Sequence, residues 1–274
     1  MKKRIVILFL LFFVSGIALG ADDDAEQQFV EFNLSGVSSE GDKTWNLTGE
    51  SADIFGDVVK LTNIVANVYG EENMKLTANE GELNKSDGNL LLQDEVIATT
   101  DDGARMTTDS LTWDRDKSLI TTEDFVTVEK DNLVATGTGI EAQTQLKQTQ
   151  MKKDVTVEFN SVDKENKKRK TVVTCDGPLE IDYQKKIAEF NNNVVVTDDE
   201  GTMNADYMKL FISFETKELD RIIARGNVKI QRAENTSYSD EAEYIAGEQR
   251  IILSGQPKII FYTEEDDTNA PFGD

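Results

Sequence analysis

The side chains that most often carry chemistry are either missing here or arranged in patterns that serve structure. The sequence contains no histidine. That removes the commonest general base, the commonest metal ligand and every histidine-dependent nucleophile. Its single cysteine, Cys175, can form neither an intrachain disulfide nor a zinc-binding pair. No G-x-x-x-x-G-K-[ST] phosphate loop is present. What remains is carboxylate, with 52 Asp+Glu in the chain. Two facing carboxylates could hydrolyse a glycoside, but the acidic residues fall mainly in turns (Asp101, Asp102, Asp198, Asp199) or at water-facing strand positions such as Glu158. Asp-Asp-Gly103 and Asp-Asp-Glu-Gly201 offer oxygens for calcium without the spacing of a calcium loop. The reading is of no catalytic residue, no metal site and no cofactor.

Asp109 and Asp206 do recur at one place in a larger pattern, where they read as structural residues at strand starts. Six segments can be laid over one another: Leu76-Thr77-Ala78-Asn79, Met106-Thr107-Thr108-Asp109, Val134-Ala135-Thr136-Gly137, Val173-Thr174-Cys175-Asp176, Met203-Asn204-Ala205-Asp206 and Tyr238-Ser239-Asp240-Glu241. Their first residues lie 30, 28, 39, 30 and 35 apart. Between them recurs a second element: Val96-Ile97-Ala98, Val126-Thr127-Val128, Val155-Thr156-Val157, Val194-Val195-Val196 and Val228-Lys229-Ile230. A period of this length marks a stack of supersecondary units, none of which buries its apolar face alone. Cys175 takes a place held elsewhere by Ala78, Thr108, Thr136 and Ala205, so it reads as a small buried hydrophobe.

Polar clusters rich in Asp, Asn and Gly fall about every 15 residues and leave room for strands of about 8–11 residues, with links too short for helical crossovers. Successive strands therefore run antiparallel. Val155-Thr156-Val157-Glu158-Phe159 and Asn227-Val228-Lys229-Ile230-Gln231 alternate apolar and polar, which sets one face inward. Pro178 and Pro257 stand near strand starts, where a missing N–H is tolerated. About 16 strands result. A one-sided sheet of that length must fold over on itself. The expectation is an all-β, elongated antiparallel jellyroll, two-walled and open-ended, with an apolar seam and unpaired edges.

Residues 1–21 stand apart. Met1-Lys2-Lys3-Arg4 precedes an apolar run, and Ala18-Leu19-Gly20 offers a small-x-small cleavage site. This is a signal peptide or, left uncleaved, an N-terminal membrane anchor over residues 5–21. The rest carries 26 Lys+Arg (29 less the three of the leader) against 52 Asp+Glu. That balance argues against nucleic acid and against anionic membrane surfaces. The one strongly basic run, Lys164 to Lys170, sits in an insert at 158–171 that lengthens one repeat. It reads as a solvated loop or module boundary, with contact to an anionic head group as the alternative. The acidic tail 263–274 reads as disordered.

These repeats resemble the periplasmic β-jellyroll proteins of lipopolysaccharide export, the LptA/LptC or OstA-like family. Thr44-Trp45-Asn46-Leu47-Thr48-Gly49-Glu50-Ser51-Ala52, Val59-Lys60-Leu61-Thr62-Asn63-Ile64 and Leu76-Thr77-Ala78 look like the inner-membrane-associated component. Ala224-Arg225-Gly226-Asn227-Val228-Lys229-Ile230, with Met203-Asn204-Ala205-Asp206 before it and Leu253-Ser254-Gly255-Gln256-Pro257 after it, is similar to the soluble bridging component. The resemblance implies a V-shaped jellyroll that takes lipopolysaccharide acyl chains inside. It implies as partners other jellyroll proteins docked at open sheet edges, further copies of this chain, and an inner-membrane ABC transporter. The expected layout is an LptC-like part at 22–158, the insert at 159–171 and an LptA-like part at 172–262.

Interior-facing candidates for lipid contact are Val96, Ala98, Leu111, Trp113, Val126, Val128, Val155, Val157, Val194, Val196, Val228 and Ile230; plain core packing is their alternative role. For the whole chain, the alternatives are a structural or adhesive β-solenoid without a ligand and a carbohydrate-active β-protein.

Overall fold

The alternation of β-branched and polar residues becomes seventeen strands. A computed structural model describes residues 27–70, 73–143, 146–162, 168–213, 218–248 and 250–261. The leader, residues 163–167 of the basic run and the acidic tail lie outside the described residues. No helix among the described residues is long and apolar enough to cross a membrane. Two units divide between Asp131 and Asn132.

The first unit holds β1 (Gln27–Val37), β2 (Lys43–Phe55), β3 (Val58–Val68), β4 (Met74–Asn84), β5 (Leu90–Thr100), β6 (Arg105–Asp114) and β7 (Leu119–Lys130). From β1 to β7 each strand pairs antiparallel with the next. The polar clusters make the turns by capping their own backbone. Asn84 Oδ1 accepts from the Ser86 amide at 2.9 Å, and Asp114 Oδ1 from the Lys117 amide at 3.0 Å. Asp102 is one of these turn residues. Its carboxylate is tied to Lys130 and accepts from the Thr100 hydroxyl at 2.5 Å.

The second unit holds β8 (Leu133–Gln143), β9 (Gln148–Val162), β10 (Lys168–Cys175), β11 (Leu179–Asp182), β12 (Ile187–Asp198), β13 (Gly201–Ser213), β14 (Glu218–Arg232), β15 (Asn235–Ile245), β16 (Arg250–Ser254) and β17 (Lys258–Ile260). Again the pairing is antiparallel throughout. Strands β10 and β11 together do the work of one strand, since both pair with β9 and with β12. Likewise β16 and β17 both pair with β15. Pro178 and Pro257 immediately precede β11 and β17.

Three expectations are revised. Many strands run to 11–15 residues, longer than the turn spacing suggests, because they continue through a mid-strand corner. At the corner the pairing slips, between Gln93 and Val96 in β5, Asn191 and Val194 in β12, and Arg225 and Val228 in β14. Residues there take positive φ: Asp94, Glu95, Asn192, Asn193, Gly226 and Asn227. Asn, Asp and Gly bear that conformation most cheaply. Asp109 and Asp206 belong to these corners, in mid-strand rather than at strand starts.

The third revision concerns the insert. Residues 159–162 and 168–171 are paired as the stem of a hairpin rather than a loop. Two of its cations are held by carboxylates, Lys170 by Glu158 at 2.9 Å and Arg169 by Glu200 at 2.8 Å.

Candidate functional site

Inward side chains of the first unit form rows that cross its strands. Leu47, Ala66, Leu76 and Ala98 lie in register on one side of the corner, followed by Met106 and Val128. Val59, Leu83, Leu90, Trp113 and Ile120 lie in register on the other side. Strands β3 to β7 each contribute to both rows, so the corner folds the sheet into two walls.

The walls face each other. Trp45, Leu47 and Ala66 of the first wall and Leu83, Leu90, Trp113 and Arg115 of the second line a single crevice of about 20 Å³. The Arg115 guanidinium lies 5.4 Å from the centre of the Trp45 ring, spanning the mouth. Deeper in, Leu61, Ile64, Leu76, Leu92, Val96, Leu111 and Val126 are almost wholly buried. Thr108 and Thr122 are the buried polar residues here, and their hydroxyls lie 3.4 Å apart.

The second unit repeats the scheme. Ile140, Met151, Leu179, Phe190, Met208, Ala224 and Ala242 form one continuous row in register, and all are buried. Across the corner, Ala135, Val157, Val173, Val196, Met203 and Ile230 form the other.

Of the twelve interior candidates, Val96, Ala98, Leu111, Val126, Val155, Val157, Val194 and Val228 are buried. Trp113, Val128, Val196 and Ile230 are only half-buried. Those four lie toward strand ends, away from the corner, at the lips of the walls. Val128 follows Met106 in register as Ile230 follows Met203. Trp45 and Arg115 were not among the candidates. Trp45 alternates with the buried Leu47, a signal legible in sequence; Arg115 sits in a turn cluster and gave none.

Outside the walls the chemistry is ionic. In the second unit a polar basin of about 340 Å³ is lined by Glu141, Gln150, Glu180, Asp182, Lys185 and Glu189 among others. Asp182 accepts from Lys185 at 2.9 Å and from Gln148 at 3.0 Å, which holds its carboxyl well below the usual range. Partial burial pushes the Glu189 carboxyl up, but hydrogen bonds from Lys209 and Tyr207 outweigh it and leave it lowered. Burial raises the Tyr207 phenol, and next to it so does the hydrogen bond that the phenol donates to Glu189. Asp182 and Glu189 are thus occupied with neighbouring cations. Cys175 is buried between Val173 and Leu179, and burial pushes its thiol up, away from the reactive thiolate.

The fold and its two apolar interiors meet the comparisons with known families at this point. The profile of the lipopolysaccharide-assembly, LptC-related family matches residues 11–160, more than half of the chain. The chain belongs to the LptC-related family. A second profile, that of the LptA/(LptD N-terminal domain) lipopolysaccharide transport proteins, matches residues 176–271. This LptC-related chain thus joins an LptC-like part to an LptA-like part. No curated protein matches it significantly.

Proposed function

We propose that the protein is a non-enzymatic carrier of lipopolysaccharide in the periplasm of a Gram-negative bacterium, taking acyl chains between the two walls of its jellyroll units. Membership of a lipopolysaccharide-assembly family supports the cargo. One observation carries the rest: in both units inward apolar rows run from strand to strand without a charged residue, from Val59 to Ile120 and from Ile140 to Ala242. An acyl chain gains about 0.8 kcal/mol per methylene when it leaves water for such surroundings.

Hand-over runs through sheet edges. Strand β1 pairs with β2 on one side, and Phe29, Val30 and Val37 on it are exposed. Strands β16 and β17 pair with β15, and Ile251, Ile259 and Phe261 in that region are exposed too. Unpaired edges with apolar side chains recruit further strands. Other jellyroll transport proteins or further copies of this chain dock there. An inner-membrane ABC transporter supplies the lipid, and residues 5–21 either anchor the chain beside it or are removed as a signal.

Photo-crosslinking in living cells tests the reading. A photoreactive residue at Trp113 or Val228, facing inward, is expected to label with lipopolysaccharide; one at Thr112 or Lys229, facing outward, is not. A functional protein that never labels from the inward positions would overturn it.

A further inference from the structure

We infer that Arg115 is the head-group anchor of the first unit: it holds the phosphate or carboxylate of an anionic amphiphile whose chain enters between Trp45 and Trp113. This rests on the carrier reading above and assigns the polar end of the ligand, which that reading leaves unassigned.

Four observations converge. Trp45 and Trp113 are the only tryptophans in the chain, and both line the same crevice. Such rings favour a boundary between apolar and wet surroundings. Arg115 is the one charged residue lining that crevice, in a chain with 52 Asp+Glu. Among the described residues no carboxylate pairs with it and no hydrogen bond occupies its donors; its contact is the Trp45 ring at 5.4 Å. The neighbouring cation Lys117, by contrast, is bound to Asp114 at 2.6 Å.

The position of Arg115 is also built. Gly88, at φ +72, leaves the space the guanidinium occupies; a Cβ there would lie 3.2 Å from a terminal nitrogen of Arg115. The head is thereby held at the lip, where water reaches it, while Leu83 and Leu90 continue inward beneath. A planar guanidinium offers paired donors to phosphate or carboxylate and can stack on an indole at the same time. The net negative charge of the chain disfavours an anionic head at most of its surface. The crevice of about 20 Å³ is too small for an acyl chain, so entry parts the walls and exchanges the Arg115–Trp45 contact for one between Arg115 and the head.

The tryptophans themselves report the test. The protein as isolated from cells is titrated, by tryptophan emission, with dodecyl phosphate and with dodecyl maltoside below their micelle concentrations, and with inorganic phosphate. Wild type is expected to respond to both amphiphiles and not to inorganic phosphate. Arg115→Gln should weaken dodecyl phosphate about tenfold and leave dodecyl maltoside unchanged. Lys117→Gln should change neither. Gly88→Ala crowds the guanidinium without removing its charge, so it should give a smaller loss of the same selectivity; it keeps the test open if Arg115→Gln folds poorly.

Equal binding of dodecyl phosphate by Arg115→Gln and wild type overturns the anchor alone. So does an equal loss of both amphiphiles, or a response to inorganic phosphate by itself. Wild-type silence toward both amphiphiles overturns the carrier reading beneath it.

Discussion

On the outward face of the first unit several residues that meet across strands are hydroxyls, beside charged positions such as Lys60 opposite Glu82. Thr107 stands opposite Thr127 and Thr112 opposite Thr121, and the Ser51 and Thr62 hydroxyls lie 2.8 Å apart. The second unit has such a row too, Thr136, Thr156 and Thr174, but other outward places there carry ion pairs across strands. Arg225 meets Glu241 at 2.7 Å, Lys209 meets Glu189 at 2.7 Å and Arg221 meets Glu243 at 3.1 Å. Arg221 also stacks on Phe211, 4.2 Å from the ring centre. The interiors differ in the opposite sense. Aliphatic and small residues fill both, but the first unit has two tryptophans and an arginine at its mouth, and the second has Val196, Met203 and Ile230 at its own lip. Inward positions are thus held to one chemistry by burial, while outward ones need only fix register. Both units use hydroxyls and charges for that second task, and the ion pairs at Arg225, Lys209 and Arg221 mark the second unit.

Core truncations probe the shared part and should have the largest effect. Leu92→Ala in the first unit and Met208→Ala in the second each remove a side chain that is 0 % and 1 % exposed, respectively. Each is expected to cost about 2–5 kcal/mol in urea denaturation; a much smaller cost in one unit would show that its interior is loosely packed and break the equivalence. Overfilling comes next. A Cβ at Gly81 would lie 2.5 Å from Ile64 Cδ1 and 2.9 Å from the Leu91 carbonyl oxygen. Gly81→Ala should therefore cost about 1–3 kcal/mol by the same measurement.

Corner bonds are weaker. Asn227 donates to Asp206 at 2.8 Å in the second unit, and Asn79 to Asp94 at 2.9 Å in the first. Asn227→Ala loses both the bond and a residue suited to φ 49, for a cost of about 1–2 kcal/mol; Asn79→Ala loses only the bond and should cost about half as much. The outward pairs come last. A double-mutant cycle on Arg225 and Glu241 should give about 0.2–1 kcal/mol at low salt and less at 1 M NaCl. The same cycle on Thr107 and Thr127 should be indifferent to salt. A salt-insensitive Arg225–Glu241 coupling would remove the contrast between the units.

Acid titration sharpens it further. Hydrogen bonds from Lys130 and Thr100 lower the Asp102 carboxyl in the first unit, and Lys185 lowers Asp182 in the second. A carboxyl lowered on folding contributes stability above its ordinary range and loses it as pH falls through the folded value. Asp102→Asn and Asp182→Asn should each flatten the acid limb of a stability–pH curve and leave the slope near neutrality unchanged.

Strands and turns were legible in sequence because both are local. Val155-Thr156-Val157 announces its two faces by alternation, and an Asn or Asp that caps its own backbone announces a turn. The corners were not legible. Gln93-Asp94-Glu95 and Asn191-Asn192-Asn193 are polar runs that look like breaks between strands, yet β5 and β12 continue through them. The two mouths were half legible. Trp113, Val128 and Ile230 follow the inward period, but burial at a lip depends on how far the opposite wall reaches. The meeting of Trp45 with Arg115 depends on the folding of the sheet as a whole, which no local pattern records. The stem of the basic insert was hidden for another reason: Lys and Arg on an outward face pair with carboxylates across strands, and in sequence such a run resembles a solvated loop.

The corner has a mechanical consequence. Ladder hydrogen bonds in an antiparallel sheet run across the strands, so within each unit they lie parallel to the line of bulges. Swinging the walls apart about that line turns the strands at their positive-φ residues and leaves the ladder bonds unstretched. Each unit is then jointed like the spine of a book. The load of opening falls on apolar contact between the pages and, in the first unit, on the single clasp between Arg115 and Trp45.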